Sequence, residues 1–160
     1  HLEPLGIFSN KHQSLDELPD GGTIGIISDT SNQSRALQLL ATQGLVSIPE
    51  GDGDVNINTV TKLKNFDFRE VEGPQLVRSL DDFDYAVING NFAQEGGKSI
   101  SSDALVVESP VDNPAVNVLV WKDGSNKAEA IAKLEELLHS PEVKQYIEQT
   151  WPDGSVIPAF

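Results

Sequence analysis

An unbroken β-prone run, TIGIIS (23–28), limits the choice of fold more than any other part of the sequence. It lacks the alternation of polar and apolar residues that a half-exposed strand shows, so we expect a strand covered on both faces of an α/β sheet. Directly after it, Thr30, Ser31 and Asn32 are favourable N-caps, and apolar residues recur at helical spacing until Gly44. The segment therefore predicts a strand, a short turn and a helix over 31–43.

The same alternation of strand and helix continues along the chain, which predicts the α/β class. Further predicted strands are 3–9, 67–72, 84–88, 104–108 and 116–121. Predicted helical segments are a single turn within 14–22, the start of a helix at 59–64, a short helix at 73–82, an amphipathic helix at 127–138 and a last helix from Ser140 to about Thr150.

Charge and composition exclude several classes of function. The net charge of −14 repels nucleic acids and anionic lipid surfaces, so neither is an expected partner. There are no cysteines, and the three histidines are scattered, which disfavours a metal site. The longest apolar runs are far shorter than the ~20 residues of a membrane-spanning helix.

Arg35 is an unexpected residue for the beginning of a helix. At ~100° per residue it lies opposite the apolar stripe centred between Leu37 and Leu40, so it does not serve that core. A cation in the first turn opposes the helix dipole by roughly 0.3–1 kcal/mol. It is either a solvated arginine on an outer face or, with the free N–H groups of the helix N-terminus, a clamp for a carboxylate.

Two asparagines are further candidates for ligand contacts. Asn89 ends a predicted strand, and it fits either an Asn-Gly hairpin turn or a polar group at a ligand site. Asn117 lies within AVNVLVW (115–121), where an unpaired buried amide would cost roughly 1–3 kcal/mol. We expect backbone groups or a ligand to satisfy it.

Metal and catalytic sites find little support in the sequence. EGDGDVNIN (50–58) resembles a calcium loop only in part, because Ile57 and Leu63 occupy the positions of the required glycine and glutamate. We therefore expect residues 50–58 to form a solvated acidic loop and not a calcium site. No nucleophile–base pair or acid–base pair is recognisable, so the chain is not expected to be an enzyme or to bind a cofactor.

Several blocks of sequence, in a fixed order, resemble one known family. They are EPLGIFS (3–9), SLDELPDGGTIGI (14–26), D-x-x-N-x-x-R-A-L-x-L-L (29–40), Q-L-x-R-S-L-D-D (75–82), AVINGNFA (86–93) and VIPAF (156–160). Together they are similar to the methionine-binding lipoproteins of bacterial ABC importers, the NlpA or MetQ family. The resemblance implies a type II periplasmic-binding fold, in which two α/β lobes hold a ligand in the cleft between them.

The resemblance also implies a function and a set of ligand contacts. Arg35 would hold the carboxylate of methionine or of a short methionine-containing peptide, and Asn89 and Asn117 would bond its polar groups. The ligand would pass to an ABC permease, on the extracytoplasmic side of a membrane reached only through an N-terminal lipid anchor outside this chain. Ala115 departs from the family pattern, in which an aromatic residue is frequent. A receptor for a sulfonate or phosphonate, or the effector-sensing domain of a regulator, stays open as an alternative.

The same resemblance predicts how the chain is divided. Residues 1–10 would be a hinge strand from the first lobe, 11–108 a complete second lobe, and 109–160 the return hinge strand and C-terminal helices of the first lobe. Because most of the first lobe would precede this chain, we expect those helices to expose apolar faces.

Overall fold

The computed structural model describes residues 1–51 and 55–160. Within these ranges five strands form a mixed sheet in the order β5-β2-β6-β1-β7, and two short strands form a separate pair, β3-β4. The strands are β1 (Leu5–Phe8), β2 (Gly22–Ile27), β3 (Val46–Ser47), β4 (Thr61–Lys62), β5 (Phe66–Val71), β6 (Tyr85–Asn89) and β7 (Ala104–Val107).

Helices or 3₁₀ turns separate the strands of the five-stranded sheet, in agreement with the α/β prediction. The helices are α1 (Thr30–Thr42), α2 (Gly73–Leu76), α3 (Gly90–Glu95), α4 (Ile100–Asp103), α5 (Ala128–Leu138) and α6 (Pro141–Thr150), with 3₁₀ turns at Leu15–Glu17 and Leu80–Asp82. The helix predicted over 73–82 is observed as two short pieces, α2 and the 3₁₀ turn at Leu80–Asp82. The last two helices have nearly the predicted bounds.

Strand direction brings several chain segments to one end of the sheet. β2 is parallel to β5 and β6, while β1 is antiparallel to its neighbours β6 and β7. The last residues of β2, β6 and β7 therefore lie at the same end as the first residue of β1. We call this the carboxyl end of the sheet, where ligands of open α/β sheets usually bind.

Both faces of the sheet are covered, as the TIGIIS run predicts. Neighbouring residues of one strand belong to different apolar clusters: Ile26 packs with α1, whereas Ile27 packs with α2. Leu37 and Leu40 are fully buried on the first face, and Leu76 is fully buried on the second. The result is a three-layer unit with helices on each side of the strands.

Two predicted elements are wrong. The segment 59–64 holds strand β4, paired with β3, instead of the start of a helix; Leu63 N–H also donates to the Leu45 carbonyl at 2.9 Å. The segment 116–121 contains no strand. Its pattern suits β structure, but none of the described strands pairs with it, and a strand requires a neighbour for its backbone groups.

The C-terminal helices expose apolar side chains, as expected. No residue of α5 is buried, and in α6 only Ile147 is. The large exposed apolar residues in this region are Val118, Leu119, Val120, Trp121, Leu134, Leu137, Leu138, Tyr146 and Phe160. In the described residues no helix is both long enough and apolar enough to cross a membrane.

Candidate functional site

The N-terminus of α1 differs from the predicted anion clamp. Its N-cap is Asp29, whose carboxylate accepts hydrogen bonds from the backbone and the side chain of Asn32, at 2.9 and 3.0 Å. The backbone bond from Asn32, the largest effect, lowers the pKa of Asp29. The helix thus supplies its own anion, and Arg35 lies in the second turn, where the dipole is weak. The helix N-terminus is not the partner of Arg35.

Arg35 is instead held by a carboxylate from a distant part of the sequence. Its Nε donates to Glu108 Oε1 at 2.7 Å, and its Nη2 donates to Glu108 Oε2 at 2.5 Å. Both side chains are only 14% exposed. This is the bidentate arrangement in which guanidinium–carboxylate pairs are strongest, and it corrects the picture of a solvated arginine.

The chain before β1 joins the same group of contacts. Arg35 Nη2 also donates to the Glu3 carbonyl at 2.7 Å, and Leu5 N–H donates to Glu108 Oε2 at 3.1 Å. These contacts follow from strand direction, because β1 begins and β7 ends at the carboxyl end of the sheet. Arg35 of helix α1 is therefore bonded to the segment that precedes β1, through Glu3, and to the residue that follows β7, Glu108.

A cavity of about 630 Å³ adjoins this ion pair. Its walls are the outer face of α1 and the segment that follows β7. The lining residues are Ser31, Ser34, Arg35, Gln38, Leu39, Thr42, Gln43, Val107, Glu108, Ser109, Val111, Asp112, Asn113, Pro114 and Ala115. A cavity of this size suits a small molecule such as an amino acid or a dipeptide.

Part of the Arg35 guanidinium is left for such a molecule. Its hydrogen bonds within the described chain use Nε and Nη2, and none uses Nη1. A guanidinium carries five N–H donors, two of them on Nη1. An arginine that lines a cavity with two donors unpaired can bind a carboxylate there.

Asn89 is buried beside α1 but does not line the cavity. It is 6% exposed, and its Nδ2 donates to Asn32 Oδ1 at 3.3 Å. Its Oδ1 is buried and has no partner among the described residues; the same holds for Asn91 Oδ1. The Asn-Gly hairpin is wrong, because Asn89 ends β6 and precedes helix α3. A buried carbonyl oxygen without a donor has unmet hydrogen-bonding capacity, which a ligand N–H could satisfy.

Asn117 lies apart from the other two candidates. It is exposed and outside any strand, and it does not line the cavity. Its backbone N–H donates to the His1 carbonyl at 2.8 Å. The expectation of a buried amide is therefore wrong in this structure, since the predicted strand around it is missing.

Sequence reasoning did not identify Glu108 as the partner of Arg35. The available signal is a carboxylate at the end of the predicted strand 104–108, a strand that runs parallel to β6 in the structure. What the sequence lacks is the order of the strands, and without it Glu108 cannot be paired with Arg35, 73 residues earlier. The possible calcium loop lies partly outside the described residues, at 52–54. Elsewhere in the described chain no cluster of three His, Cys, Asp or Glu side chains is suited to a metal ion.

Comparisons with known proteins agree with this architecture. The family described as NlpA lipoprotein matches residues 1–160. A Pasteurella multocida protein that carries the name "Probable D-methionine-binding lipoprotein MetQ" is 36% identical over 155 residues, which are 96% of this chain and 56% of that protein. The chain thus spans little more than half the length of this relative.

Two solved structures extend the likeness to three dimensions. A lipoprotein from Actinomyces odontolyticus is 89% identical, with a TM-score of 0.89 over 99% of this chain and 66% of that one. A nutrient-binding protein from Burkholderia cenocepacia, solved with methionine bound, is 29% identical, with a TM-score of 0.81 over 99% of this chain and 67% of that one. The Pasteurella multocida and Burkholderia cenocepacia relatives are named for binding and not for catalysis. From the match over its whole length and from the shared fold, the chain belongs to the NlpA lipoprotein family.

Proposed function

We propose that this chain is the ligand-holding part of an extracytoplasmic receptor that captures methionine, or a short methionine-containing peptide, and delivers it to an ABC permease. The observation that carries the proposal is Arg35, a cation on the wall of a cavity with two unpaired N–H donors. The methionine-bound relative from Burkholderia cenocepacia and the name of the Pasteurella multocida relative support methionine as the ligand.

The chemistry of the described polar groups suits an amino acid. The Nη1 donors of Arg35 match a carboxylate, and the unpartnered Oδ1 of buried Asn89 matches an ammonium group. Asn117, on the exposed segment after the cavity, would reach the ligand once the cleft closes. In this proposal Arg35 holds the carboxylate of one zwitterion, and Asn89, which does not line the cavity in this structure, would meet its ammonium only once the cleft closes.

The proposed receptor has two lobes. Residues 11–108 form the second lobe, 1–10 are the hinge strand that arrives from the first lobe and enters this sheet as β1, and 109–160 are the return hinge segment and C-terminal helices of the first lobe. The exposed apolar residues of α5 and α6 support this division, because such surfaces are usually covered by another part of a protein. Delivery to the permease would follow lobe closure around the ligand, and a lipid anchor would keep the receptor at the membrane.

The test is ligand-induced stabilisation of the full-length protein. At about 100 times its dissociation constant a ligand adds roughly 2.7 kcal/mol of stability, so L-methionine, D-methionine or Gly-Met should raise the melting temperature by several degrees. Replacing Arg35 by glutamine should weaken binding by about tenfold or more, because a charge-assisted bond contributes roughly 1.5–3 kcal/mol. Replacing the exposed Arg78 by glutamine is the matched control and should leave binding unchanged.

Two results would refute the proposal. One is a melting temperature that none of the three methionine ligands changes. The other is stabilisation by a sulfonate or phosphonate alone, which would assign the receptor to a different anion.

A further inference from the structure

We propose that Glu108 is a specificity-determining residue: by neutralising one edge of Arg35, it makes the cavity select ligands with no net charge over ligands that are net anions. This inference rests on the proposed function and deepens it, since it concerns the charge class of the ligand held by Arg35.

The Glu108 carboxylate is fixed in place. Its two oxygens accept hydrogen bonds from Arg35 Nε and Nη2 at 2.7 and 2.5 Å, and Oε2 accepts a third from Leu5 N–H at 3.1 Å. The side chain is 14% exposed. A carboxylate with this many donors and this little contact with water keeps its position when a ligand arrives, so its charge acts on the ligand from a constant distance.

The charges around the cavity do not favour an anion. Among the described lining residues the charged ones are Arg35, Glu108 and Asp112, so two carboxylates face one cation. A ligand carboxylate would gain the Nη1 donors of Arg35 but would also meet the negative charge of Glu108 on the far side of the guanidinium. Because the Glu108 side chain is only 14% exposed, its repulsion is screened less than that of an exposed carboxylate.

A zwitterion avoids that penalty. Its ammonium group brings a positive charge into the same cavity, so the attraction of Glu108 for the ammonium offsets its repulsion of the carboxylate. A sulfonate or phosphonate without an ammonium has no such compensation. The geometry thus separates free amino acids from simple organic anions that present the same negative group.

The experiment compares two ligands of almost the same shape on the full-length protein. L-methionine has no net charge, and its 2-hydroxy analogue replaces the ammonium by a hydroxyl and carries one negative charge. Isothermal titration gives the ratio of their dissociation constants for the natural protein and for Glu108→Gln. The substitution should shift the ratio toward the anionic analogue by about tenfold or more, which is the effect of one unit charge a few ångströms beyond the contact.

Two further variants separate charge from structure. Asp112→Asn removes the same charge from the same cavity, but Asp112 is exposed, and its φ of 52° suits asparagine. This substitution should change the ratio of dissociation constants by less than about twofold, because solvent screens the charge of Asp112. Glu108→Asp keeps the charge but shortens the side chain. It should weaken the binding of both ligands and leave the ratio of their dissociation constants within about twofold of the natural value. If Glu108→Gln does not fold, the Asp variant still tests the proposal.

The outcomes are distinguishable. An unchanged ratio in Glu108→Gln, or a tenfold change in Glu108→Asp, overturns the role of Glu108 even if methionine binds. A natural protein that binds neither methionine nor its analogue overturns the proposed function itself. A purely structural role of Glu108 would lower both affinities equally and leave the ratio as it was.

Discussion

Replacing Arg35 by methionine would leave the Glu108 carboxylate without its cation. Among the described residues Arg35 is the basic group paired with Glu108, and both side chains are 14% exposed. The carboxylate would keep the bond from Leu5 N–H. We therefore expect a loss of folding stability larger than that of an ordinary surface ion pair, and a strong coupling between the two residues.

The size of this coupling follows from geometry and burial. Two unit charges about 4 Å apart interact by about 4 kcal/mol at an effective dielectric constant near 20. Desolvation opposes this gain. Exposed pairs are worth less than about 1 kcal/mol, while removing one partner of a fully buried pair costs roughly 3–5 kcal/mol. For a pair that is mostly but not wholly buried, we expect Arg35→Met to cost about 2–3 kcal/mol and the coupling to be about 2 kcal/mol.

A double-mutant cycle measures that coupling. Urea unfolding of the natural protein, Arg35→Met, Glu108→Gln and the double variant gives four free energies of unfolding. The exposed pair Lys133–Glu136, at 2.7 Å and 60% and 68% exposed, provides a matched control with an expected coupling below about 0.5 kcal/mol. If the Arg35–Glu108 coupling were as small as that of the control, the reasoning from burial and bidentate geometry would be wrong.

Two other predictions concern the ends of the strands. Gly90→Ala should lower the free energy of unfolding by about 1–3 kcal/mol, because an added Cβ would lie 2.7 Å from the Ser155 carbonyl oxygen; urea unfolding measures it, and an unchanged midpoint would contradict the close contact. For Asp84, burial alone raises the pKa, but hydrogen bonds from His12 and from the backbone and hydroxyl of Thr23 bring the pKa below its usual value. A depressed pKa stabilises the fold above the pKa of the unfolded chain, and the effect is lost as pH falls through the folded pKa. The natural protein should thus have a larger free energy of unfolding than Asp84→Asn above about pH 5, and this difference should shrink below about pH 4; a difference that widened below pH 4 would refute the assignment.

Local patterns are sufficient to predict most of the elements between Leu5 and Val107. The β2 and α1 elements follow from an unalternated apolar run, a cluster of N-capping residues and helical spacing, all within 20 or so residues of each other. The N-cap itself is Asp29, one residue before the predicted candidates. Several capping residues in a row make such a boundary ambiguous, because each can accept the same backbone bond.

The errors arise where the outcome depends on distant partners. The 116–121 segment has the composition of a strand, but its structure depends on whether another strand lies beside it. The sequence predicts that Arg35 does not serve the core, but it does not identify the partner of Arg35. Glu108 reaches it only because β1 and β7 are adjacent and antiparallel, and strand order is a property of the whole sheet.

The antiparallel pairing of β1 and β7 has a mechanical consequence. The chain enters β1 and leaves β7 at the same end of the sheet. Tension applied through the flanking segments would therefore separate these two strands from that end. Their ladder bonds would then break one after another instead of sharing the force. The contacts of Arg35 with Glu3 and Glu108 span this opening point, so they would be the first to bear the tension and would set the force at which the unit begins to open.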